Sequence, residues 1–239
     1  MNQFGAVILS VCVAAIMSVA APAQAGLTYD GTLSVADGGL IATDKWNAAG
    51  TKLSWIVSNE VTPGLWHYSY TLTVLSPRLT VPSPAISHVI VEVSDGDPGP
   101  AFTISNLLSP TSNPLNWIAG PIEIQTYNPG PGNPGMPATV YGVKFNAADD
   151  MDAKILTLEF DSDRVPVWGD LYAKGGSKSA LFNAGFAADD PTVPAASGSY
   201  ESHLLVPDTM TVVIPAPGAL LLCGLGTGLL GWLRRRKAV

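Results

Sequence analysis

LWHYSYTLTVL, residues 65–75, is the stretch that decides the fold class. Trp66, Tyr68, Tyr70, Leu72 and Val74 alternate with His67, Ser69, Thr71 and Thr73. A period of two puts the first set on one face of an extended chain and the second on the other. Aromatic and β-branched side chains also suit a pleated, half-buried surface. The stretch therefore predicts a strand with one buried face.

The same reading extends outward along the chain. TKLSWIVS (51–58), ISHVIVEV (86–93), IEIQTY (122–127), ATVYGVKF (138–145), AKILTLEF (153–160) and VWGDLYA (167–173) are further strand candidates. Shorter ones are GTLSVA (31–36), SHLLV (202–206) and TVVI (211–214). Gly, Pro, Asn and Asp separate most of them, as turns require. Outside the two ends of the chain nothing sustains a period of 3.6, and no repeat recurs at a fixed spacing. Around ten short strands joined by polar turns predict an all-β fold, an antiparallel sandwich or jelly roll. The segment NPGPGNPGMP (128–137) holds four prolines and three glycines in ten residues. It suits neither a helix nor a central strand, and it predicts a chain of tight turns that either caps the sandwich or carries function.

Both ends differ in character from this middle. Residues 1–25 carry an apolar run from Phe4 to about Ala20, followed by Ala23-Gln24-Ala25. That A-x-A pattern predicts a signal peptide, a helix cut by signal peptidase after Ala25. Val11 stands before Cys12 where a lipobox wants a small residue. At the other end, 15 uncharged residues run from Ala219 to Leu233 and are followed by Arg234, Arg235, Arg236 and Lys237. This predicts a short transmembrane helix with a cytoplasmic basic tail. Pro215 and Pro217 precede it, where the N–H they lack would go unpaired anyway.

A proline-bearing tripeptide, a short apolar helix and a terminal basic cluster resemble the PEP-CTERM sorting signal. Here the tripeptide region reads Pro215-Ala216-Pro217-Gly218, with Ala216 where the namesake has Glu. The resemblance implies export, retention in the inner membrane, processing by an exosortase-type sorting peptidase, and association with exopolysaccharide. Residues 66–74, 86–96, 130–145 and 161–176 are also similar to a set of exported bacterial proteins bearing the same signal. That similarity implies a shared fold and shared export, and no activity.

The domain organisation expected is a signal peptide over 1–25, a β-sandwich ectodomain over 26–214 and the sorting signal over 215–239. Both cysteines, Cys12 and Cys223, fall in the end segments, so the ectodomain depends on core packing and has no disulfides. It carries eight basic against nineteen acidic residues, a balance of −11. Such a surface repels nucleic acid and anionic lipid, and no nucleic-acid partner is expected.

Chemistry-bearing motifs are few. No G-x-S-x-G occurs, the ectodomain has no thiol, and His67, His88 and His203 stand in no zinc-ligand spacing. No catalytic residue and no required cofactor are expected. Calcium is the candidate metal, with Asp95 and Asp97 in one loop and Asp149, Asp150 and Asp152 in another. Asp161 and Asp163 form a third acidic pair, beside Arg164. Trp168, Asp170 and Tyr172 stand at spacing two and form a candidate sugar-binding row. The expected function is that of a structural or adhesive, non-enzymatic protein of the cell surface or extracellular matrix. The alternatives are a carbohydrate-binding module with calcium sites and, behind it, a secreted glycoside hydrolase.

Overall fold

A computed structural model describes residues 26–77, 82–96, 99–176 and 178–208. The expected signal helix, the strand at 211–214 and the expected C-terminal helix lie outside the described residues, as do all the sorting-signal positions. Among the described residues the chain is all-β, interrupted only by single 3-10 turns at Asp44–Trp46 and Ile104–Asn106. No described helix is long and apolar enough to cross a membrane.

Two antiparallel sheets dominate. The first has the order β1-β3-β4-β9-β6, from Thr28–Ser34, Lys52–Ser58, Trp66–Thr73, Ile155–Ser162 and Leu108–Asn113. The second has the order β2-β12-β11-β5-β8-β7, from Leu40–Ala42, Ser179–Asn183, Leu171–Gly175, Ile86–Glu92, Val140–Ala147 and Ile118–Tyr127. A two-stranded ribbon pairs β10 (Pro166–Gly169) with β13 (Leu204–Pro207).

The strand at 65–75 sits at the centre of the first sheet, as β4. Trp66, Tyr68, Tyr70 and Leu72 are buried, and His67, Ser69, Thr71 and Thr73 are half-buried on the opposite face. That outer face joins hydroxyls across strands, Thr32 to Ser54 at 3.0 Å and Thr71 to Thr157 at 2.9 Å. The inner face meets the second sheet. The Phe160 ring of β9 lies 5.4 Å from Tyr68 and 5.9 Å from Phe145 of β8. Leu53, Val57, Leu158, Val89, Val91 and Leu171 complete this apolar layer, which both sheets share. The arrangement is sandwich-like.

The core tyrosines also tie the ribbon to the sheets. Tyr68 donates to the Arg164 carbonyl and Tyr70 to the Leu205 carbonyl, each at 2.8 Å. Burial holds both phenols well above their ordinary pKa, so they stay donors. Tyr70→Phe is expected to cost about 1–2 kcal/mol, since the packing survives and one buried hydrogen bond is lost. Urea denaturation of both chains measures it.

A second, smaller apolar cluster lies outside the six-stranded sheet: Ile90, Tyr127, Met136, Val140, Tyr172, Ala180, Phe182 and Phe186. The proline- and glycine-rich segment covers it. Asn133 N–H bonds the Gly130 carbonyl and Met136 N–H the Asn133 carbonyl, a succession of turns. Met136 is buried, and Pro134 O accepts from Tyr172 at 2.9 Å. The segment is thus a lid on a sheet face, built of turns as expected, and does not cap the end of the sandwich.

Three strands escape the sequence reading: β2, β6 and β12. β6 carries Pro110 and pairs only with β9, the edge position that a proline tolerates. β12, SALFN, is buried on both faces and shows no alternation. The single strand expected over 167–173 is two, β10 and β11, which pair with different partners.

Candidate functional site

The break between β10 and β11 falls at Asp170 and creates the site. Asp170 leaves one ladder and enters another, and Glu92 of β5 bridges the gap. Asp170 N–H donates to Glu92 Oε2 at 2.7 Å, and Glu92 N–H donates to the Asp170 carbonyl at 2.9 Å. Asn183 of β12 donates from Nδ2 to Asp170 Oδ1 at 2.7 Å, and also to the Ser202 carbonyl at 3.0 Å. Asp170 is therefore buried, its carboxylate held by Asn183 and its backbone by Glu92.

His203 enters from the far side of the same carboxylate. It follows a tight turn in which Glu201 and Ser202 both take positive φ, 48° and 63°. Neither residue is a glycine, so the turn costs about 1–2 kcal/mol per residue in backbone strain. His203 N–H closes it on the Tyr200 carbonyl at 2.8 Å. Gly185 packs against the imidazole; a Cβ there would lie 2.5 Å from Cε1. The His203 side chain is fully buried, and Nε2 has no hydrogen-bond partner. That atom stands 3.7 Å from Asp170 Oδ1 and 3.7 Å from Asp190 Oδ1. Among the described residues this is the one group of three or more potential metal ligands whose donor atoms lie within 4.8 Å of one another.

Electrostatics follow from this crowding. Burial, with Asp190 and Asp170 close by, pushes the Glu92 carboxyl well above its ordinary pKa. Burial pushes Asp170 up to about 6, against the hydrogen bond from Asn183. Asp190 moves up too, although its side chain is 44% exposed at the mouth and solvent damps the push.

Glu92 and Asp190 of the cluster line a cleft of about 540 Å³. Glu92, Asp95, Asp190 and Asp208 give its walls acceptor groups. Ser94, Thr126, Thr139 and Thr192 add hydroxyls, and Tyr141, Trp168 and Val206 form an apolar side.

The structure disperses most of the candidates read from the sequence. Trp168 and Tyr172 are buried in different apolar clusters, Trp168 between the sheets and Tyr172 beneath the lid. They form no exposed row with Asp170, because the chain changes ladder at that residue. Trp46, Trp55, Trp66 and Trp117 are buried as well. Asp95 stands at the cleft, while Asp97 lies outside the described residues. Asp149, Asp150 and Asp152 are exposed in the β8–β9 connection, where Asp152 pairs with Lys154 at 2.5 Å. Asp161 accepts from Thr62 and pairs with His67, and Asp163 accepts from Asn106 and faces Arg164 Nε at 3.6 Å. The histidines also stay apart: His67 on the first sheet's outer face, His88 under the lid, His203 buried beside Asp170.

Glu92, Asp190 and His203 were not singled out as site residues by sequence. The four ligand-bearing residues come from four segments with no motif spacing. The one usable signal was Glu92 itself, a carboxylate inside the apolar run VIVEV. The chain matches no protein-family model, and no curated protein or solved structure is detectably similar to it.

Proposed function

We propose that the protein is an exported, non-enzymatic component of the cell surface or extracellular matrix that adheres to exopolysaccharide. In this reading residues 1–25 direct export, and Pro215–Gly218 with Arg234–Lys237 form a PEP-CTERM-type signal handled by an exosortase-like peptidase. The chain is anchored in the inner membrane until that processing, and residues 26–214 are the ectodomain that works outside. The observation that supports adhesion is the cleft, whose lining mixes carboxylates and hydroxyls with aromatic and aliphatic side chains. A sugar chain presents the matching pair, hydroxyl donors at its edges and C–H faces on its rings. The reading therefore places polysaccharide in the cleft, since the Trp168–Tyr172 row is buried.

Co-sedimentation of the purified full chain with the host's exopolysaccharide tests this. Retention in the pellet is expected, and Thr192→Trp, which fills the exposed rim of the cleft, is expected to weaken it about tenfold, the equivalent of 1.4 kcal/mol. A chain that stays in the supernatant overturns the reading. Release of new reducing ends during the incubation would replace adhesion by glycoside hydrolysis, with Glu92 and Asp190 as the carboxylates that face the cleft.

A further inference from the structure

We infer that Asp170, Asp190 and His203 form a binding site for a divalent first-row cation of the zinc type, at the edge of the cleft that Asp190 lines. The argument begins with His203 Nε2. A fully buried imidazole nitrogen without a partner leaves a polar group desolvated and unsatisfied, which costs about 1–3 kcal/mol. The atom is aimed at two carboxylate oxygens, both at 3.7 Å, too far for a hydrogen bond. A cation about 2.1 Å from Nε2 and from each oxygen would subtend an angle of about 120° at these separations. That lies near the tetrahedral range. One ion would satisfy the orphan nitrogen and separate the two carboxylates at once.

The supporting shell is in place. Asn183 holds Asp170 Oδ1, and Glu92 fixes the Asp170 backbone. Outer partners of this kind orient metal ligands and fix their charge state. The imidazole decides the cation class. Calcium and magnesium take oxygen ligands, whereas a mixed imidazole and carboxylate set suits zinc and its neighbours. Three protein ligands also leave a fourth position for water or a ligand hydroxyl, and Asp190 stands at the adjoining cleft. The assignment stands without the polysaccharide reading, and its test contains no polysaccharide.

The experiment is calorimetric titration of the untagged full chain, stripped of metal by chelation, with Zn²⁺ and separately with Ca²⁺. One equivalent of Zn²⁺ is expected to bind, at least about tenfold tighter than Ca²⁺. Asp190→Asn should weaken Zn²⁺ binding about tenfold or more without lowering the metal-free melting temperature, because that side chain is partly exposed and its charge repels Glu92 and Asp170. Asp189→Asn, one residue away, should leave binding unchanged. His203→Gln should abolish tight binding, and should it fail to fold, Asp190→Asn alone still decides. Absence of saturable Zn²⁺ binding, equal loss in the two aspartate variants, or preference for Ca²⁺ would overturn the assignment.

Discussion

Trp55→Ala is expected to lower the stability of the chain by about 3–5 kcal/mol, the range for emptying a large aromatic from a core. Trp55 is 1% exposed, and its partner across the β1–β3 ladder is Gly31. The indole lies over that glycine: a Cβ built on Gly31 would stand 2.1 Å from Cζ2. The ring thus packs where a side chain on β1 would otherwise be, in the manner of an aromatic covering a strand glycine. Gly31→Val should therefore be costly by itself, about 3 kcal/mol, because the indole has nowhere to move within the shared apolar layer. The two changes should not add. In the double variant the valine enters space the indole has left, so the combined loss should fall short of the sum by about 2 kcal/mol or more. Urea unfolding of the four chains gives the coupling directly. Additive losses would show that Gly31 is required for its backbone and not for the indole above it.

The same pair shows what the sequence could disclose. KLSWIVS alternates, so the inward direction of Trp55 was readable from period two, and so was the whole inner face of β4. Which residue on which strand it would meet was not. Cross-strand partners depend on register, and register is fixed by loops and bulges whose geometry the composition does not state. The candidate site failed to appear for a related reason. VWGDLYA alternates well enough to read as one strand, yet Gly169 and Asp170 change partners there. The break follows from β13 pairing with β10 and from Glu92 occupying the Asp170 amide, both distant in sequence. Once the strand breaks, spacing two no longer means a shared face, and Trp168 parts from Tyr172. The acidic pairs read as calcium candidates were conspicuous because they are adjacent in sequence. Adjacent aspartates on an exposed turn mostly serve the turn or solvent. The convergent carboxylates come instead from segments 20 to 98 residues apart and announce themselves only through tertiary structure.

His88→Phe should make the chain less sensitive to acid, and it should do so in the direction fixed by burial. The ring lies under the proline- and glycine-rich lid, 5.9 Å from Tyr172 and almost fully buried. Desolvation lowers its pKa to about 3; Lys144 of β8 and Lys174 of β11 push the same way, and Asn133 of the lid pulls weakly against them. Neither His88 Nε2 nor Asn133 Oδ1 finds a hydrogen bond of good geometry. The unfolded chain binds this proton near pH 6.5 and the folded chain only near 3. Stability from the neutral ring is therefore complete above pH 6.5 and declines as pH falls toward 3, by up to about 1.4 kcal/mol per pH unit. Glu92, Asp170 and Asp190 act oppositely: their raised values favour the protonated folded state, so they add stability as pH falls, Asp170 from about 6. Those groups are present in both chains and drop out of the difference. Phenylalanine keeps the contact with Tyr172 and removes the titrating nitrogen. Between pH 7 and pH 5 the stability of His88→Phe should accordingly rise by about 2 kcal/mol relative to the parent chain. The strain of a charged imidazole is relieved most cheaply by lifting the lid, which rests on turns and a single tyrosine bond. Amide exchange at Met136, corrected for the intrinsic effect of pH, should then accelerate at pH 5 in the parent and not in the variant. Parallel stability curves, or a lid equally protected at both pH values, would show that water already reaches the ring.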